Sequence, residues 1–343
     1  MLKKTSLFGV GLILAGILAA AQGFAVLFPR EPEYHGRPLH AWVDQLCSGT
    51  GGSQAGAVDA FRHMGPDALT PLVHMIGARD PAWMTNLVSV VQRHSKIDFH
   101  LVPARQQKDR AIRGFYALGP AANAAVPGLA DLLNDREARL DAATALAAIG
   151  REGIAPLVEV LADEDPEIRT RIVWLLGTLG SNATTAVPAL VAMLRDDDEG
   201  VRTATAAVLG MIGRKPALVV PALTKGLSDP NPWVRRTIVF ELRVFGKNDV
   251  TVVPTLIRYL KDEDGGVRQS AADSLGRIGD CAAQAVPALK ECLDDPAPWV
   301  HQSVVKALKR LGRPMPALPG EFGRSEKAGL QFVIAKDEQE HID

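Results

Sequence analysis

Net charge is almost absent: 38 Lys and Arg stand against 39 Asp and Glu in 343 residues, a formal balance of −1. Proteins that grip nucleic-acid backbones need a strong local basic excess, so nucleic acid is not an expected partner. Cysteine is scarce, with three residues. Cys281 and Cys292 lie roughly 15 Å apart by helical rise, beyond disulfide reach, and Cys47 stands alone as a small apolar residue. No disulfide framework is expected. Catalytic signatures are missing too. There is no Gly-x-Ser-x-Gly turn and no suggestive Cys–His spacing, which removes the usual acyl-transfer arrangements. Six of the eight histidines (His35, His40, His63, His74, His94 and His100) fall in the first hundred residues. None is paired at i, i+3 or i, i+4 and no His-Glu dipeptide occurs, so neither a metal nor a cofactor is expected. Ser48 to Ser53 is Gly-rich, but no strand precedes it, so it reads as a loop and not as a phosphate cradle.

What the chain has instead is repetition. At a step of 33 residues, Asp163, Asp196, Asp229, Asp262 and Asp295 form one column, and Arg169, Arg202, Arg235 and Arg268 a second that ends in His301. Gly180, Gly213, Gly246, Gly279 and Gly312 make a third, and Pro188, Pro221, Pro254 and Pro287 a fourth. A fixed period of this size means stacked supersecondary units. Within one unit, Asp165 is placed to cap a helix and Pro166 has the ring angle of a first helical position. Ile168, Ile172, Leu176 and Leu179 then mark one stripe of a 3.6-residue helix, and Gly180 ends it. Val187, Leu190 and Leu194 stripe a second helix. No period-2 alternation occurs in this region, so strands are not indicated. A single helix pair cannot bury its own stripe, and neighbours must stack to share a core. Each of the first four Asp residues precedes an Arg by six residues, so the two side chains are expected to bond one another or to bridge to the adjacent unit.

These units resemble HEAT repeats, in particular the short bacterial kind named after phycobilin lyases. The resemblance is carried by Val201-Arg202 followed by Leu209-Gly210 and Ile212-Gly213, and again by Val267-Arg268 with Leu275-Gly276 and Ile278-Gly279. It implies an all-α α-solenoid of about seven or eight helix pairs, with Asp163, Asp196, Asp229, Asp262 and Asp295 joined to Arg169, Arg202, Arg235 and Arg268 in a structural ladder. It identifies a fold and not an activity. Deoxyhypusine hydroxylase is similar in fold but holds two irons with His-Glu pairs, which this chain lacks. A HEAT-like DNA glycosylase would need a basic, aromatic groove, whereas the corresponding positions Val191, Thr224, Ile257 and Lys290 are mixed.

Residues 1–29 read as a signal anchor or signal peptide. Lys3 and Lys4 precede an apolar run, Leu7–Phe28, whose 22 residues would span about 33 Å. A retained anchor is favoured by the apolar continuation Phe24 to Phe28; the alternative is secretion after cleavage following Ala21. Either way the lysines keep the N-terminus inside and send the repeats to the periplasmic or extracellular side. Residues 30–53 form a linker and cap. Tyr34, Arg37 and Trp42 are candidate partner contacts, although Leu39, Trp42, Val43 and Leu46 suit a helix that covers the first unit's open core. The solenoid runs over 54–312. It contains an irregular insert, 79–107, where the interval Gly65 to Gly119 stretches to 54 residues; Trp83 in that insert is a further candidate contact. Trp174, Trp233 and Trp299 are expected to pad the seams between units. The tail, 313–343, is Pro/Gly-rich and charged, and is expected to be disordered. The function expected is a non-catalytic adaptor for another protein, tethered to a membrane through Leu7–Phe28. The alternative is an exported lyase-type or chaperone-like protein acting on a bound ligand.

Overall fold

Residues 32–48, 51–80 and 103–312 are described by the computed structural model. The expected apolar run, Trp83 with the rest of 81–102, and the tail lie outside them. Among the described residues no helix is long and apolar enough to cross a membrane. The contacts divide the chain into two compact units, Met1–Val234 and Arg235–Asp343.

The first unit begins with something an all-α reading does not contain. Glu33–Tyr34 (β1) pairs antiparallel with Arg37–Pro38 (β2) in a small hairpin. His35 and Gly36 both have positive φ, 51° and 68°, which is what a two-residue hairpin turn requires. Leu39–Ser48 (α1) follows, and then Gly51–Met64 (α2), Leu69–Ile76 (α3), Ala104–Leu118 (α4) and Val126–Leu132 (α5). Of the Gly-rich stretch expected as a loop, Ser48 ends α1 and residues 51–53 open α2, and α4 starts within the expected insert. Arg139–Ile149 (α6) and Ile154–Glu159 (α7), Pro166–Thr178 (α8) and Val187–Met193 (α9), and Glu199–Ile212 (α10) and Pro216–Gly226 (α11) are three further pairs. Each first helix packs on the first helix of the next pair: α4 on α6, α6 on α8, α8 on α10. Ile172, Leu176, Val208 and Leu209 are fully excluded from solvent in these seams.

Pro232–Leu242 (α12) runs across the boundary. The second unit then holds Val252–Tyr259 (α13), Gly265–Ile278 (α14), Val286–Glu291 (α15) and Pro298–Arg310 (α16), with α14 packed on α16. Ser274 Oγ, fully buried, donates to the Val239 carbonyl at 3.1 Å and ties α14 to α12.

The glycine column serves two purposes. Gly180, Gly213, Gly279 and Gly312 have positive φ, between 51° and 73°, a range glycine adopts at a helix end without strain; Gly213 is left-handed α. Gly246 has φ −62° and accepts an ordinary helical geometry. It is needed for space, because a Cβ there would sit 2.4 Å from Ile278 Cδ1.

Candidate functional site: an Arg–Asp ladder and the surface it supports

Each ladder Asp sits in the turn before a first helix, and its carboxylate first organises that turn. Oδ1 of Asp163, Asp196, Asp262 and Asp295 accepts the N–H two residues on, at 2.9 Å in every case. In the first unit Asp229 does the same for Asn231. The arginine that reaches each carboxylate comes from the preceding pair. Arg169 Nε donates to Asp196 Oδ2 at 2.8 Å and Nη2 to Oδ1 at 2.6 Å. Arg202 holds Asp229 in the same two-pronged way, at 2.7 and 3.1 Å. Within the second unit Arg235 holds Asp262, at 3.1 and 2.8 Å, and adds Glu263 at 3.0 Å. Arg268 holds Asp295 at 2.7 and 3.0 Å.

Of the two arrangements open from sequence, the local one is made through the backbone. The Asp six residues upstream offers its carbonyl: Arg169 Nη1 donates to Asp163 O at 2.8 Å, Arg202 Nη1 to Asp196 O at 2.8 Å and Arg268 Nη1 to Asp262 O at 2.9 Å. His301, which ends the column, makes a different local contact: its Nδ1 lies 2.6 Å from the Leu293 carbonyl, eight residues upstream.

Two rungs escape a strict 33-residue search. Arg139 pairs with Asp163 and donates to Leu133 O at 2.7 Å. Arg79 pairs with Asp135 at 2.5 Å. Asp135 carries the family sign, since its Oδ1 also accepts the N–H two residues on, but the step from Asp135 to Asp163 is shorter than the later ones.

The pairs are largely covered, with side-chain exposures of 13% and 7% for Arg202 and Asp229. For Asp196, burial works to raise the carboxyl pKa, but the Arg169 hydrogen bond and the Asp198 N–H outweigh it and the group lies below the ordinary carboxylate range. The Arg268 hydrogen bond, against the opposing pull of burial, does the same for Asp295. Hydrogen bonds to the carboxylates hold Arg169, Arg202, Arg235 and Arg268 above the usual guanidinium value. The chemistry of such a pair is cohesion: both partners stay charged and both are saturated with hydrogen bonds.

The family model for HEAT repeats matches residues 126–210 and 220–314, together just over half of the chain. The chain belongs to the HEAT-repeat family. No curated protein matches it in sequence. Among solved structures it is similar to a designed armadillo repeat protein in complex with peptide (KR)4, at 19% identity over 54% of this chain and 99% of that one, with a TM-score of 0.42. YibA of Escherichia coli matches at 15% identity over 80% and 92%, TM-score 0.43. Human deoxyhypusine hydroxylase in complex with glycerol matches at 22% identity over 80% and 96%, TM-score 0.33.

The HEAT stack leaves several large apolar side chains in solvent. In the first unit Tyr116, Trp174, Met211 and Trp233 are 58%, 43%, 54% and 65% exposed. Trp299 is 53% exposed in the second, although its indole lies against Gly265 of the preceding first helix. The expectation that the tryptophans pad seams is thus corrected in part: Trp299 leans over one, Trp174 is a little over half covered, and Trp233 largely faces water. Between α9 and α11 runs a groove of about 830 Å³ lined by Pro188, Val191, Ala222 and Lys225, with Asp197 and Ser228 at its rim.

Of the candidate contacts near the N-terminus, Trp42 is only 7% exposed and its indole N–H donates to the Arg37 carbonyl at 3.2 Å. The Arg37 guanidinium stacks 4.3 Å from the Trp42 ring centre and donates to Gln45 Oε1 at 2.9 Å. Tyr34 stacks on His63 of α2 at 5.0 Å. Leu39, Val43 and Leu46 are buried with Trp42, and α1 packs on both α2 and α4. These residues bind the hairpin and α1 to the stack. Among the described residues no group of His, Cys, Asp and Glu could hold a metal ion. Cys281 and Cys292 are free thiols, and burial pushes the Cys292 thiol up.

Proposed function

We propose that this HEAT-repeat protein is a non-catalytic scaffold that binds another protein. The observation that carries this reading is the exposed aromatic and apolar set of the first unit. Tyr116, Trp174, Met211 and Trp233 remain in water beside seams that exclude water completely, and surface aromatics of this kind are the usual anchors of protein interfaces. The ladder supports the reading from the other side, since it fixes the helix pairs with saturated ion pairs and leaves the outer faces free to vary. A membrane tether through Leu7–Phe28, with the repeats on the non-cytoplasmic side, is part of the proposal and rests on the sequence alone.

The test is capture from envelope extract on immobilised full-length protein, compared with Trp174→Ser and Trp233→Ser variants of equal melting temperature. A protein retained in constant proportion by the wild type and lost from the variants supports the scaffold. Identical capture by all three, or a stoichiometric chromophore or metal in the purified protein, overturns it. A variant lacking residues 82–102, which leaves α4 whole, locates the contact further.

A further inference from the structure

Within the second unit two sets of cations contrast. Arg235, Arg268 and Lys261 all have carboxylate partners. Arg243, Arg277, Lys306, Lys309 and Arg310, towards the C-terminal ends of the first helices, form no ion pair with a described residue. Two of them converge on one aromatic ring. The Arg243 guanidinium lies 4.2 Å from the centre of Phe240, and that of Arg277, on the next first helix, 5.8 Å from it. A guanidinium stacked on a ring keeps its in-plane N–H edges for bidentate bonding to an anion. Arg243 Nε is in addition the one buried side-chain nitrogen or oxygen among the described residues that lacks a hydrogen-bond partner. An unsatisfied covered donor of this kind is costly and calls for an explanation.

The row continues. Arg310 stands 33 residues after Arg277, and α14 packs directly on α16, so the two occupy equivalent places on neighbouring helices, about 8–10 Å apart in axis spacing. Val244, 37% exposed, precedes Arg277 in the same column. Glu241, Asp273 and Asp280 are the carboxylates close in sequence, and against Arg243, Arg277, Lys306, Lys309 and Arg310 they leave the surface basic. Burial holds Glu241 above the ordinary carboxylate range, with Arg243 opposing.

We propose that Arg243 and Arg277, flanking Phe240 and continued by Arg310, form a docking surface for an acidic segment of a partner protein. The inference rests on the scaffold reading and names one of its contacts. Phe240 and Val244 set among the guanidinium groups favour a peptide, which can seat an apolar side chain beside its carboxylates, over a layer of lipid headgroups. Two turns of a partner helix, i to i+7, rise about 10.5 Å, so carboxylates at that interval match the spacing of successive first helices.

The probe is fluorescein-labelled decaglutamate, with decalysine and decaglutamine as controls and phosphatidylglycerol vesicles as a separate arm. Each is titrated with the full-length protein at low and high salt. Decaglutamate alone is expected to bind, more weakly as salt rises. The double variant Arg243→Gln/Arg277→Gln is expected to lose about tenfold or more in affinity, in line with the loss of charge-assisted contacts. Arg214→Gln in the first unit is expected to leave binding unchanged. Because Arg243 Nε has no hydrogen-bond partner to lose, Arg243→Gln should melt only slightly below wild type, by the loss of the stack on Phe240. Equal binding by the double variant, no binding of decaglutamate by the wild type, or binding to vesicles in its place overturns the proposal. Those results would leave the Trp174→Ser capture experiment standing, so a failed patch is distinguishable from a failed scaffold.

Discussion

Arg202 joins two helix pairs through one side chain: Nε and Nη2 clasp Asp229 at 2.7 and 3.1 Å, while Nη1 holds the Asp196 and Asp197 carbonyls at 2.8 and 3.0 Å. One guanidinium therefore fixes the turn at its own helix start and the turn of the pair that follows. Replacing it by alanine removes both prongs from a covered carboxylate, which keeps the Asn231 N–H, and takes the guanidinium donor from two carbonyls. Arg202→Ala is expected to destabilise the first unit by about 1–3 kcal/mol. Chemical denaturation of Arg202→Ala, Asp229→Ala and the double variant checks this. Strictly additive single effects would show that the bond itself contributes nothing.

The ladder also sets the acid limit of stability. Asp196 and Asp295 have folded pKa values below the ordinary carboxylate value, which is about 3.9 in an unfolded chain. A lowered folded pKa gives stability that is fully present above the unfolded value and is lost as pH falls through the folded one. Melting temperature is thus expected to be insensitive to these two groups at neutral pH and to drop on acidification below about pH 4. In Asp196→Asn and Asp295→Asn the acid-dependent part of the drop should shrink. Unchanged slopes would remove these carboxylates from the account.

Gly246 and Gly279 occupy one sequence column and should respond differently to alanine. At Gly246 the new methyl would meet the buried Ile278 side chain at 2.4 Å, an overpacking cost of about 1–3 kcal/mol. At Gly279 nothing lies within 4 Å and the penalty comes from φ 73° with ψ −142°, a sparsely populated region that costs other residues about 1–3 kcal/mol. Adding Ile278→Val should rescue Gly246→Ala and leave Gly279→Ala unaffected. Rescue of both, or of neither, would contradict the assignment.

At the N-terminal hairpin, Trp42 and Arg37 separate structure from surface. Trp42→Ala removes a buried indole and is expected to cost about 3–5 kcal/mol. Arg37→Ala removes an exposed stacking contact worth about 0.5–1 kcal/mol. Thermal melts of the two variants should differ widely; similar melts would deny α1 its role in covering the stack.

The helix pairs were legible because Gly180, Pro188, Asp196 and Arg202 recur at a constant step, and a constant step survives any amount of drift in the residues between. The Arg139–Asp163 and Arg79–Asp135 rungs were not, because the earlier repeats are of unequal length and the geometry, not the count, brings the partners together. The hairpin at His35-Gly36 was hidden for a different reason: two residues per strand are too few for alternation to show, and the signal lies in backbone angles. Phe240, Arg243 and Arg277 meet only through the packing of α12 on α14, across a sequence distance that no local pattern spans. Gly246 shows the limit in miniature, since one letter stands for a bend at four positions and for clearance at the fifth.

Since every turn carboxylate serves its own hairpin and is clasped by the one before, the bonding is satisfied after any whole number of steps. Gene duplication or excision of one complete 33-residue period would hand the new neighbour the same acceptor that the old one offered. A cut elsewhere would strand a cation on one side and an anion on the other. At the last described place of the column, His301 stands where the earlier periods have arginine, and its ring meets a backbone carbonyl in place of a carboxylate.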